Sequence, residues 1–223
     1  MAVDNTAKIA IIGAGPIGLE AALYARFLGY DVQVFEQNVV ASNVLSWGQT
    51  RMLSPFEMNC SSLGLAALHA QDETYKPPHA DEYLTVEAWV KRYLLRLATT
   101  DLLDGNVRTG CRVMSVGRPE SLKTDVMNTD DRADQPFRLM LCDEAGQEHM
   151  ETAEVVIDTS GNRGDPLGLG AGGLPAIGER DVRSKIDYRI PNFLGEDETD
   201  FADQQTLVFG DGVIAACTVI ALT

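Results

Sequence analysis

The sequence predicts an α/β fold: a central parallel sheet with helices on one face and an antiparallel three-stranded meander on the other. Two observations carry that expectation. A strand, a glycine-rich turn, a helix and a second strand follow one another within residues 8–35, the order of a βαβ unit. From residue 106 the apolar residues change from helical to alternating spacing.

Residues 8–12 (Lys-Ile-Ala-Ile-Ile) form a short β-rich run closed by glycine, as a buried parallel strand does. Residues 16–29 follow with Ile17, Leu19, Ala22, Leu23, Ala25 and Leu28 at helical period, and Gly29 is placed to end that helix. Asp31 to Phe35 is the second strand. A long irregular segment comes next, holding Ser46-Trp47-Gly48 and Ser54-Pro55-Phe56. Residues 85–98 read as an amphipathic helix, with Val86, Trp89, Val90, Tyr93, Leu94 and Leu97 on one side.

The expected meander strands are Val107 to Val116, Phe137 to Cys142 and Glu148 to Ile157, the last two joined by a turn at Glu144-Ala145-Gly146. The polar stretch from Pro119 to Gln135 reads as a loop within the meander. Residues 161–178 hold seven glycines and two prolines, which excludes long regular structure. Gln205 to Phe209 reads as a strand, leading through Gly210-Asp211-Gly212 into an apolar helix from Val213 to Leu222.

Composition narrows the function. A formal net charge of -15 over 223 residues argues against a nucleic-acid backbone as partner. An anionic cofactor remains compatible, because helix N-termini bind phosphate through local dipoles whatever the global charge. The acidic run Glu196, Asp197, Glu198, Asp200 and Asp203 reads as a solvated loop. Cys60, Cys111, Cys142 and Cys217 are widely spread and share no ligand spacing with His69, His79 or His149, so no metal is expected. No basic segment with a following apolar run opens the chain, and no run approaches the roughly 18 apolar residues of a membrane span. A cytoplasmic protein with a small-molecule substrate and no membrane contact is the expectation.

The turn Gly13-Ala14-Gly15-Pro16-Ile17-Gly18 has the spacing of a dinucleotide fingerprint. Gly13 permits the tight turn, Gly15 lets backbone amides approach a pyrophosphate, and Gly18 lets the helix pack on the strands. Pro16 and Ile17 open the helix whose positive end faces the phosphates. Glu36, followed by Gln37, ends the second strand and is placed to accept hydrogen bonds from ribose hydroxyls. These residues describe a Rossmann-type site for the ADP half of a dinucleotide.

Ala22 and Gly29 extend the pattern. With them the segment resembles the FAD-containing glutathione-reductase-like flavoproteins, and the resemblance implies FAD as cofactor. A carboxylate at Glu36 suits FAD or NAD better than NADP, whose extra phosphate it would repel. Val155-Val156-Ile157-Asp158-Thr159-Ser160-Gly161 is similar to the hydrophobic run and Ala-Thr-Gly of that family. The similarity implies that Thr159, Ser160 and Gly161 approach FAD, and that Val113 offers backbone to the adenine.

The stretch from Ser46 to Pro55 resembles the flavin-containing monooxygenase-like proteins. That implies a flavin-covering role for Trp47 and, for Arg51, a place at a FAD phosphate or the flavin edge; core tryptophan and surface arginine are the plainer alternatives. Gly172 to Ala176, Tyr188-Arg189-Ile190-Pro191 and Leu207 to Gly212 repeat the order of segments that in this family leads into an NADPH domain. Gly210 and Gly212 would then contact NADPH, although Ile214 stands where the family pattern has serine.

The resulting expectation is an FAD-binding domain over residues 1–204, with 205–223 either starting a truncated second Rossmann unit or reused to complete the first. The function expected is an NADPH-linked, monooxygenase-like FAD-dependent oxidoreductase. Its reduced flavin would activate oxygen toward a small nucleophilic substrate, and no side chain stands out as a catalytic acid or base. The alternatives are an FAD- or ADP-binding module that needs a partner chain, and an NAD-dependent dehydrogenase. The last helix is apolar nearly all round and needs cover from the FAD domain, from a second copy in a homo-oligomer, or from a separate chain.

Overall fold

Side-chain alternation along the first strand decides the layering. In the computed structural model, which describes residues 5–122, 124–125, 129–161, 166–188, 191–193, 195 and 197–222, β1 (Asn5–Ile12) turns Ile9 and Ile11 to one layer and Ala10 to the other. The chain continues through α1 (Pro16–Phe27), β2 (Tyr30–Phe35), α2 (Ser42–Leu45) and α3 (Ser62–Gln71). Next come α4 (Val86–Trp89), a π-helical turn (Val90–Leu94) and α5 (Leu95–Ala98) without a break. The strands β3 (Val107–Arg108) and β4 (Cys111–Gly117) follow, then α6 (Asp130–Ala133), β5 (Phe137–Asp143), β6 (Glu148–Ala153) and β7 (Val155–Asp158). Two helices close the order, α7 (Glu198–Phe201) and α8 (Val213–Ala221).

β1, β2, β3 and β7 form a parallel sheet in the order β3-β2-β1-β7. On one face Ile9, Ile11, Val32 and Val34 pack with Leu19 and Leu23 of α1 and with Val90, Leu94 and Leu97. Tyr93 ties these helices together. Its hydroxyl donates to Glu20 Oε1 at 2.6 Å and accepts the Ser61 N–H at 3.1 Å, and its ring meets Phe56 edge-on. Burial, with the Glu20 hydrogen bond second, pushes this phenol well above its ordinary range. The opposite face carries the meander β4-β5-β6, whose Leu139, Leu141, Cys111 and Ala153 bury against Ala10 and Phe35. Glu151 of β6 bridges the two sheets by pairing with Lys8 at 3.1 Å and Arg108 at 2.9 Å.

Four expectations need correction. The run 107–116 is two strands, because Gly110 (φ 62°) turns the chain from the parallel sheet into the meander while its N–H donates to the Asn38 carbonyl. The run 148–157 is also split. The Glu154 N–H donates to the Lys8 carbonyl and steers β7 beside β1. Residues 205–209 form no strand; Leu207 is 91% exposed and Phe209 67%, with no ladder partner among the described residues. Finally, the irregular segment after β2 contains α3, which Ser61 caps by accepting the Gly64 N–H at 2.8 Å.

Within the expected loop, residues 123 and 126–128 lie outside the described residues, as do Arg189, Ile190 and Glu196 of the stretches singled out above. Among the described residues, no helix is long and apolar enough to cross a membrane.

Candidate functional site

Two glycines of the turn are required by the fold, each for a different reason. Gly13 has φ 98°, and a Cβ on it would crowd the Thr159 carbonyl at 3.1 Å. A Cβ on Gly18 would sit 1.9 Å from the Gly13 carbonyl oxygen and 2.7 Å from Thr159 Oγ1, so only glycine lets α1 start this close to the strand. Gly15 is different. Its φ of -78° suits any residue, and a Cβ there would meet nothing within 4 Å. Nothing in the described protein demands glycine at this position; a ligand lying against the backbone would.

The helix behind Gly15 is equally bare. Pro16 opens α1, no side chain caps its N-terminus and its first turn holds no acidic residue, whereas Ser61 and Thr85 cap α3 and α4. Ile17 in that turn is 70% exposed. The first N–H groups of a helix lack intrahelical acceptors, so an open, uncapped N-terminus beside a bare glycine is an arrangement that binds anions.

Glu36 follows β2 at its carboxyl end and is 7% exposed. Its Oε2 accepts the Ala14 N–H at 2.8 Å, and its Oε1 accepts the Asn38 N–H at 2.9 Å. The carboxylate therefore braces the glycine turn, and each oxygen keeps a further acceptor site for a hydroxyl. Gln37 is exposed beside it. The backbone nearest Glu36 comes from Arg108 and Cys111, which exchange hydrogen bonds of 2.9 and 2.8 Å with it. Val113 lies two residues further along β4, opposite Leu141 and half-buried in the meander layer. Sequence reasoning missed Asn38, Arg108 and Cys111, since the backbone pairing that brings them here leaves no motif.

The end of β7 closes the site from the other side. Thr159 Oγ1 donates toward the Ile12 carbonyl at 2.7 Å and the Gly13 carbonyl at 3.1 Å, clamping the turn. The Ser160 hydroxyl donates to Asp158 Oδ1 at 2.6 Å. Gly161, at φ 67°, has open space around it. The structure thus brings Gly13, Gly15, Gly18, Glu36 and Thr159–Gly161 to one sheet end. Burial pushes the thiols of Cys111, next to the Glu36 backbone, and of Cys60 up.

Trp47 and Arg51 stand apart, on the wall of an apolar cavity. A backbone bond from the Ala41 N–H to the Ala14 carbonyl, 3.0 Å long, ties the segment leading to them to the glycine turn. Arg51 Nη1 donates to the Tyr83 carbonyl at 3.2 Å. Gly210 and Gly212 precede α8, with Gly212 at its N-terminus, but no strand leads into them among the described residues.

Residues 8–41 match the pyridine nucleotide-disulphide oxidoreductase family. An uncharacterized protein of Methanocaldococcus jannaschii is 40% identical over 53 residues, 24% of this chain and 13% of its own length. Among solved structures, a bacillithiol disulfide reductase from Bacillus cereus overlaps 69% of this chain and 39% of its own, with TM-score 0.47 and 15% identity. An S-allyl-L-cysteine S-oxygenase from Allium sativum overlaps 69% and 36%, with TM-score 0.49 and 16% identity. A steroid monooxygenase solved with NADP overlaps 73% and 27%, with TM-score 0.48 and 19% identity. This chain spans well under half of each of these relatives.

Proposed function

From an N-terminal segment matching the pyridine nucleotide-disulphide oxidoreductases, we propose that this chain holds FAD and serves in an FAD-dependent oxidoreductase. The observation that carries the reading is Gly15, bare of neighbours at an uncapped helix N-terminus. The first-turn N–H groups would take the pyrophosphate, Glu36 the adenosine ribose, and Thr159 would hold the turn in shape. Bound FAD supplies hydride- and electron-transfer chemistry; the chain's part is binding, orientation and exclusion of water. Four free cysteines suit a reducing cytoplasm. Gel filtration after incubation with FAD tests the reading: flavin absorbance should travel with the wild-type chain and be lost with Gly15→Ala.

The finer reading, an NADPH-linked monooxygenase acting on a small molecule, draws on the likeness of the Ser46 to Pro55 segment to that class. Anaerobic NADPH should then bleach the bound flavin. A second reading is a flavin-holding module without turnover, and the strandless approach to Gly210 favours it. Flavin that binds yet stays yellow under NADPH would select this module.

A further inference from the structure

The segment from Trp47 to Ser54, α4, residues 191–193 and α8 surround a cavity of about 730 Å³. Small-molecule pockets commonly measure about 300–1,000 Å³ and are mostly apolar, with a few polar groups that fix orientation. Much of this wall is aromatic: Trp47, Tyr83, Trp89 and Phe193 all line it. The Trp89 indole donates its N–H to the Asn59 carbonyl at 2.9 Å, which fixes its ring. Arg51 sits on a braced backbone. On either side of it the Met52 N–H donates to the Leu84 carbonyl at 2.8 Å, and the Thr50 carbonyl accepts the Val86 N–H at 2.9 Å.

Charge narrows the class. The chain has 33 acidic residues, yet none of them is among the described lining, where Arg51 is the sole charged residue. Its Nη1 donates to the carbonyl of Tyr83, itself part of the wall, at 3.2 Å. Among the described residues no carboxylate pairs with it. One carbonyl uses one of five guanidinium N–H groups, which leaves a fork for an anion. Glu87, which accepts from Gln49 of the wall, is matched by Lys91. The net charge of -15 counts for little here, because salt screens charges beyond about 8 Å. Arg51 is also exposed, so an anionic group beside it keeps contact with water and avoids the cost of deep burial. A phosphate dianion would leave its second charge unmatched. We propose that this cavity binds an aromatic monocarboxylate, its ring among the tryptophans and its carboxylate on Arg51. Naming that ligand the substrate rests on the function proposed above; its binding does not.

Calorimetric titration of the full chain with 4-phenylbutanoate and with 4-phenylbutanamide tests the assignment, since the amide keeps the apolar body and loses the charge. The acid should bind one to one and about fivefold more tightly than the amide, the scale of an exposed charge pair. Arg51→Gln should erase that difference. Both tryptophans of the chain lie on the cavity, so binding should also change tryptophan fluorescence. A parallel ADP titration reads the glycine turn alone, so a failed dinucleotide site registers separately. No binding of the acid, equal affinity for acid and amide, a preference that survives Arg51→Gln, or unchanged tryptophan fluorescence would overturn the proposal. So would loss of phenylbutanoate binding when the chain is saturated with FAD but not with ADP, which would make the cavity the seat of the flavin ring.

Discussion

The Glu36 carboxylate accepts the Ala14 N–H at 2.8 Å, so the residue expected to meet the ribose also fixes the shape of the glycine turn. Glu36→Ala should therefore do two kinds of damage. FAD affinity should fall by about 1–3 kcal/mol through lost charged hydrogen bonds. The cofactor-free protein should also melt lower, because the Ala14 N–H loses its buried acceptor. Calorimetry and a thermal melt of the same preparation separate the two effects. Unchanged FAD affinity would remove Glu36 from the cofactor site.

Gly15→Ala and Gly18→Ala form a contrasting pair. The first places a methyl group in open space at an ordinary φ, and should leave cofactor-free stability within about 0.5 kcal/mol of wild type. FAD binding by this variant should nonetheless weaken at least about tenfold, since the methyl group would stand between backbone and pyrophosphate. The second drives a Cβ to 1.9 Å from a carbonyl oxygen and should fail at the level of folding. A Gly15→Ala protein that binds FAD like wild type would show that no ligand approaches there.

Leu141 is fully buried where the meander meets Phe35 and Ala10. Leu141→Ala should cost about 2–5 kcal/mol, the range for emptying a packed core site. Denaturant unfolding measures it. A loss under about 1 kcal/mol would mean that the meander is not packed on the sheet as described.

Glu179, 5% exposed, organises the glycine-rich stretch. It accepts hydrogen bonds from the Tyr188 hydroxyl and from the N–H groups of Leu169 and Ala176. The Tyr188 hydrogen bond first, then that from Ala176, holds its carboxyl below the usual range. A lowered folded-state value means that the stabilisation is full above the unfolded value, about 4.3, and disappears as pH falls through the folded one. Acidification below about pH 4 should thus loosen residues 169–188. Glu179→Gln should imitate this at pH 7. Hydrogen exchange at the Leu169 and Ala176 amides reads both; protection unchanged by the substitution would contradict the role given to Glu179.

What was legible in the sequence was local. β1, the glycine turn and α1 announce themselves because alternation, three glycines and a 3.6-residue period occupy adjacent residues. The splitting of 107–116 was hidden: Gly110 lies inside a run of strand-forming residues, and its turn is fixed by the Asn38 carbonyl, far away in sequence. α3 escaped notice because Leu63, Leu65, Ala67 and Leu68 spread apolar residues round the helix rather than along one stripe. Residues 205–209 carry strand-forming residues, yet pairing needs a neighbour that no local pattern supplies. At the site, spacing marked Glu36 for a ribose and gave no sign of its bond to Ala14. Likewise, the Ser46 to Pro55 segment drew attention to Trp47 and Arg51, but nothing in it told that α8 would line the same cavity.

The most direct test of the central claim is a calorimetric titration of the purified chain with FAD, with NAD as comparison. One FAD should bind per chain, at least about tenfold tighter than NAD, with that preference resting on the whole dinucleotide and the shared ADP half held by Gly15 and Glu36. No heat with FAD, or NAD bound as tightly or more so, would contradict it.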